Sequence, residues 1–267
     1  MYTAPFGYLR PKTLAEAQTL FRDSSDARYV AGGQTLIPTM KQRLAAPAQL
    51  IDIGRIASLA FIRREGATLV IGAGTCHADV AASGVVRGAI PTLASLAAQI
   101  GDPAVRHRGT LGGSIANNDP AADYPAGVLG LGATVKTTSR SMAADGFFTG
   151  MFETALEPGE IVTEIVFPLP HRAGYAKFPN PASRYATVGV FVAAFAESVR
   201  VAVTGAAPCV FRFAEMEAAL VKNFTPEAVG EILISTDGLN ADLFASAEYR
   251  AHLVGVMAKR AILAAML

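Results

Sequence analysis

The chain has little cysteine. Cys76 and Cys209 are its two thiols in 267 residues, and they lie far apart in sequence. They cannot hold an iron–sulfur cluster, which takes a larger set of thiolates. Nor do they form a disulfide framework, so a reducing, cytoplasmic setting is expected. Net charge is nearly absent: 23 Lys plus Arg against 22 Asp plus Glu leave +1. That excludes a strongly basic nucleic-acid clamp and an acidic tail. Long apolar runs are also missing. The most apolar stretches, residues 124–135 and 187–196, both contain glycine and fall short of the roughly 18 residues that suggest a membrane span. The first ten residues show no apolar core behind a basic start, so no secretory leader is expected. What remains is apolar, with 51% hydrophobic and 17% charged residues. Disorder is thereby excluded, and the length suggests one or two domains at roughly 150 residues each.

The chain opens with alternating helices and strands. Thr13 and Glu16 have capping-box spacing, and Leu14, Ala17 and Phe21 follow at helical spacing. A strand over 28–31 runs into Gly32-Gly33, and then into a helix with apolar Leu36, Ile37, Met40 and Leu44. Residues 50–53 read as a further strand. Two strands flank the Glu65-Gly66 turn. Helices are expected from His77, over 90–100 and over 123–131, and a strand over 133–138. Between them, 101–118 reads as a glycine-rich loop. The run Phe167-Pro168-Leu169-Pro170 is the best boundary signal. Beyond it come two strand-like runs within 185–203 and an amphipathic helix from about Ala245 to Leu267.

Two glycine pairs carry the chemistry. Ala31-Gly32-Gly33-Gln34-Thr35 stands between a strand and a helix, where positive φ and close backbone approach are available. The unpaired amides of a helix start suit an anion such as a diphosphate. Alone, the pair is equally consistent with a plain strand-to-helix turn. The second run is Gly109-Thr110-Leu111-Gly112-Gly113-Ser114, flanked by apolar Ile100 and Ile115. Buried irregular backbone must find partners, and a phosphate is one way to supply them. Asp123, in Asp119-Pro120-Ala121-Ala122-Asp123, reads on its own as a helix cap. The chain has no GxGxxG and no Walker lysine motif, which leaves Rossmann and P-loop assignments unsupported. His77 and Asp79 tempt a metal reading, but no third ligand is near in sequence.

Together these elements resemble the FAD-binding medium subunit of the molybdenum hydroxylases, of the carbon monoxide dehydrogenase and xanthine dehydrogenase type. The resemblance rests on Ala31–Thr35, on Arg106-His107-Arg108 followed by Gly109–Ser114, and on Asp119–Asp123. Glu157-Pro158-Gly159-Glu160-Ile161 and Gly174-Tyr175-Ala176-Lys177 extend it, and it spans essentially the whole chain. It implies an α+β protein: a two-lobed FAD-binding fold of the vanillyl-alcohol-oxidase (PCMH) type with a small C-terminal sheet-plus-helices domain. The implied division is 1–170, with lobes of about 1–56 and 57–170, and 171–267. It further implies FAD held by Ala31, Gly32, Gly33, Gln34, Thr35 and Leu36, and by Thr110, Leu111, Gly112, Gly113, Ser114 and Asn117. The diphosphate contacts are expected to come mostly from backbone N–H groups. Asp123 is implied to accept from ribose hydroxyls, and Ile161 and Lys177 to lie near the isoalloxazine. The family's first loop often reads Gly-Gly-His-Ser, where this chain has Gln34 and Thr35, and position 107 is commonly Asn. Both departures are expected to tune the flavin.

The implied function is electron transfer. A large molybdopterin subunit hydroxylates the substrate, and a small subunit with [2Fe-2S] clusters passes electrons to this FAD. An external acceptor then takes them. A dimer of heterotrimers is implied. The competing reading is a self-contained flavin oxidase of the same fold superfamily, often with covalent flavin; a flavin-free scaffold is a third. Valine at Gly33 or Gly112 is expected to abolish FAD binding and leave the fold intact.

Overall fold

The structure is a computed structural model that describes residues 2–267; Met1, where the leader reading begins, lies outside them. Its first layer is a parallel sheet in the order Gly7–Leu9, Gln49–Asp52, Ala27–Val30. Parallel neighbours need crossover connections, and the helices Leu14–Arg22 and Leu36–Lys41 provide them. The first helix starts as its capping spacing predicts. Thr13 Oγ1 accepts from the Glu16 N–H at 3.2 Å, and the Glu16 carboxylate accepts from the Lys12 N–H at 2.7 Å. Ala17, Ile51, Ile56 and Leu59 are the core of this layer.

The second layer is an antiparallel sheet of five strands. Its order is Ile62–Glu65, Thr68–Gly72, Val162–Pro168, Thr134–Thr137, Ser141–Ala143. Helices Pro91–Ala98 and Asp123–Gly130 cover it, with Ile71, Leu93, Leu96, Tyr124 and Phe167 fully buried between.

The third layer is an antiparallel sheet of Arg172–Pro179, Ala186–Ala194, Val199–Thr204 and Phe211–Arg212. Successive strand side chains point to opposite faces. In Ala186–Ala194, Phe191 and Ala193 join the core of the middle layer, whereas Val188, Val190 and Val192 pack with the helix Ala247–Met266. Both faces are covered, so the strand reads as one continuous apolar run rather than an alternating one. Among the described residues no helix is long and apolar enough to cross a membrane.

The segment 101–118 is not a loop; it holds the helices Pro103–Arg106 and Leu111–Asn117. Thr110 caps the second by accepting from the Gly113 N–H at 3.1 Å, so the Gly-Gly pair occupies a first helical turn.

Candidate functional site

A cleft of about 560 Å³ opens between the layers. Ala31, Gly32, Gly33, Gln34, Thr35 and Leu36 line it from the first layer. Thr110, Gly112, Gly113, Ser114, Asn117, Asp123 and Ile161 line it from the second. Segments far apart in sequence are thus brought to one cavity. Leu111 and Lys177 are not part of the lining.

The first glycine pair holds the chain in an unusual shape. Gly33 has φ +71°, a region that side chains with a Cβ rarely enter. A Cβ on Gly32 would stand 2.1 Å from the Arg108 carbonyl oxygen, so the backbones of the two segments lie directly against each other. Among the described residues, the N–H groups of Gly32, Gly33, Gln34, Thr35 and Leu36 donate to no protein acceptor. A run of unspent amides on a cavity wall can take an anion, because each must find water or a ligand oxygen.

The second segment works differently from its sequence reading. Its amides are already spent: Leu111 donates to Thr75 O at 3.0 Å and Gly112 to Ala73 O at 2.8 Å. Gly113 and Ser114 donate to Thr110, at 3.1 Å to its hydroxyl and at 3.0 Å to its carbonyl. Helix formation consumes what a loop would have left free. The Thr110 N–H, the Ser114 hydroxyl and the Asn117 carboxamide remain for a ligand. Leu111 is fully buried, its side chain in the core of the middle layer. Gly112 is small for a packing reason: a Cβ there would stand 2.8 Å from Ala73 O.

Lys177 departs from expectation, and Asp123 departs from its helix-cap reading while lining the cleft. Asp123 is the first residue of its helix, and Ala122 is the cap, so Asp123 does not serve as the N-cap. Its carboxylate is 4% exposed; it accepts from the Tyr175 hydroxyl at 2.5 Å and the Lys177 ammonium at 2.9 Å. Burial pushes the Asp123 carboxyl up, and Lys177 and Tyr175 oppose that rise. Lys177 spends its other two donors on Gln99 O at 2.9 Å and Arg184 O at 3.0 Å. With all three donors used it stands behind the cleft wall and fixes Asp123. Lys177→Met is therefore expected to destabilise the fold by about 3–5 kcal/mol, because a buried charge loses its partner. The melting temperature should fall by on the order of 10 °C; an unchanged value would remove Lys177 from this role.

Several lining residues were not among the expected cofactor contacts. Arg28, Tyr29, Arg184 and Tyr185 line the cleft, and so does Asp119, which opens the Asp119–Asp123 motif. Asp119 accepts from the Ala121 N–H at 2.9 Å, and burial raises its carboxyl above the usual range. Tyr29 stacks on Phe21 at 4.9 Å, and burial raises its phenol to about 12. Tyr185 is carried in by the turn at Asn180, whose side chain accepts from the Ala182 and Ser183 N–H groups. Of the two family departures, Gln34 lines the cleft. His107 does not; it is exposed, with Nδ1 2.7 Å from Pro103 O.

Residues 4–170 match the family described as the FAD binding domain in molybdopterin dehydrogenase. The chain belongs to that family. Residues 173–265 match the CO dehydrogenase flavoprotein C-terminal domain. The carbon monoxide dehydrogenase medium chain of Hydrogenophaga pseudoflava is 38% identical over 97% of this chain and 96% of its own. The nicotine 6-hydroxylase medium subunit of Paenarthrobacter nicotinovorans is 33% identical over 97% of this chain and 96% of its own. The solved CO dehydrogenase from Oligotropha carboxidovorans superposes with a TM-score of 0.92 at 35% identity, covering 99% of both chains. The fold is thus the expected flavin-binding one with its added C-terminal sheet and helices, and the chain is an oxidoreductase component whose cofactor is FAD. Its cleft fits that group on its own terms, since the five residues whose amides are unspent among the described residues all line the cavity.

Proposed function

We propose that this chain is the electron-transfer subunit of a molybdenum hydroxylase. The observation that carries the reading is the run of unpaired amides from Gly32 to Leu36 on the wall of a cleft shared by two layers. These amides would hold the FAD diphosphate, with the Thr110 N–H and the Ser114 hydroxyl opposite. Arg28 and Arg184 add positive charge to the same lining. Ile161 and Leu156 give it an apolar stretch suited to a ring system, and Tyr29 and Tyr185 offer aromatic faces. Asp123, fixed by Lys177 and Tyr175, keeps lone pairs for a ligand hydroxyl.

FAD, when bound, supplies a centre that takes electrons singly and gives them in pairs. The electrons would come from [2Fe-2S] clusters of a small subunit, fed by a large molybdopterin subunit, and leave to an external acceptor. Relatives named for carbon monoxide and for nicotine match this chain in sequence along nearly their whole length. Such different substrates fit a chain that handles electrons while a partner selects the substrate. The assembly would be a dimer of heterotrimers in the cytoplasm. The division into 1–170, with lobes of about 1–56 and 57–170, and 171–267 belongs to the same reading.

Titration of flavin-free full-length protein with FAD tests the cofactor site. Saturable binding with one FAD per chain is expected, and denaturation should release the flavin intact. Flavin that stays attached after denaturation would favour the oxidase instead.

A further inference from the structure

We propose that His77 is a positioning residue of the diphosphate grip, donating its Nε2–H into the cleft where the Gly32 and Gly109 backbones meet. The proposal rests on the FAD reading above. His77 opens the helix His77–Ala82, lines the cleft and is only 4% exposed. Its ring leans on Tyr124, with centroids 5.2 Å apart. The opposite edge meets Gly109: a Cβ there would stand 2.5 Å from Nε2 and 2.9 Å from Cδ2. Gly109 in turn lies against Gly32, where a Cβ would stand 2.8 Å from the Gly109 Cα. The imidazole edge and the first unpaired amides of the Gly32–Leu36 run therefore share one corner of the cleft.

The protonation state follows from the surroundings. Burial, and then the nearby Arg106 guanidinium, lower the imidazole to about 4, so it is neutral near pH 7. A neutral ring carries one N–H. Nδ1 is buried without a partner among the described residues. A buried N–H without an acceptor is rarer in folded proteins than an unsatisfied lone pair, which puts the proton on Nε2. That atom also lacks a partner among the described residues, yet it is not sealed off as Nδ1 is. A donor without a protein acceptor, beside a run of amides in the same condition, awaits the same anion.

The test uses full-length, flavin-free protein carrying His77→Gln, His77→Asn or His77→Leu. A glutamine amide reaches about where Nε2 stands; an asparagine amide reaches only about where Nδ1 stands. His77→Leu and His77→Asn should weaken FAD binding by roughly 10- to 150-fold, the range for one hydrogen bond to a charged group. His77→Gln should stay near wild type. Phosphorus NMR of bound FAD should show the diphosphate resonances moved in His77→Asn and unmoved in His77→Gln. If Gln and Asn bind FAD alike, or the phosphorus resonances do not move, the proposal fails. Should His77→Leu not fold, the Gln and Asn pair still decides. Wild-type protein that binds no FAD would sink the cofactor reading instead.

Discussion

Gly33→Val is expected to purify folded and colourless. At φ +71° a β-branched side chain is strained, at a cost of about 1–3 kcal/mol. The added Cβ would also stand 3.0 Å from Ile37 Cγ1. Ile37 is β-branched and stiff at χ1, so the contact is relieved by a few tenths of an ångström of movement in the short helix Leu36–Lys41, which the fold survives. The shift re-aims the amides from Gly32 to Leu36, which have no protein acceptors to hold them in place. Each hydrogen bond to a charged oxygen contributes roughly 1.5–3 kcal/mol. Losing two would cost about 3–6 kcal/mol, and FAD affinity should fall by more than about 100-fold. Flavin absorbance per protein, read beside the melting temperature, checks this; full flavin occupancy in the variant would end the diphosphate assignment. Gly112→Val should behave in the opposite way. Its Cβ would meet Ala73 Cβ at 2.5 Å and Ala73 O at 2.8 Å, against backbone pinned just after the strand Thr68–Gly72 by the Ala73 N–H to Thr163 O bond at 2.9 Å. The expected outcome is insoluble or strongly destabilised protein, contrary to the reading in which the two glycines are equivalent.

That contrast shows where the sequence speaks and where it is silent. Gly32-Gly33 between a strand and a helix was legible because the strand's apolar run and the helix's spacing bracket it. The long C-terminal helix was legible from its periodicity, and Ser246 caps it by accepting from the Tyr249 N–H at 3.2 Å. The helix Leu111–Asn117 was hidden, since two glycines oppose helix formation while Thr110 and packing on Ala73 impose it. Lys177 was misplaced for another reason. Its motif shows a lysine near Tyr175, but only three-dimensional contacts reveal that Asp123, Gln99 and Arg184 take all its donors. Tyr185 was invisible because nothing in a Pro-Asn-Pro turn signals which way the following residues go. His77 drew only a metal reading that the lack of a third ligand set aside, and nothing in the sequence shows that its ring lies against Gly109.

The lone chain, loaded with FAD, is expected to be bleached by dithionite and to ignore hydroxylase substrates. Carbon monoxide and nicotine, named in two of its relatives, should leave it oxidised in anaerobic stopped-flow. The reason lies in what the cleft holds. Its polar groups are amides, hydroxyls, the guanidinium groups of Arg28 and Arg184, and the carboxylates of Asp119, Asp123 and Glu160, a set suited to gripping a nucleotide. Asp123 is occupied by Lys177 and Tyr175, and His77 is held neutral in the wall. Glu160 is tied to Arg140, Thr137 and the Glu157 N–H, and Asp119 accepts from the Ala121 N–H, so each of these groups already holds a structural partner or a neutral state. Reducing equivalents must then arrive from outside, through a donor that docks near the flavin. Adding the molybdenum and iron–sulfur partners should therefore turn substrate-dependent bleaching on, an all-or-none change rather than a graded one. Bleaching of the lone chain by such a substrate would overturn the electron-transfer reading and establish the oxidase in its place.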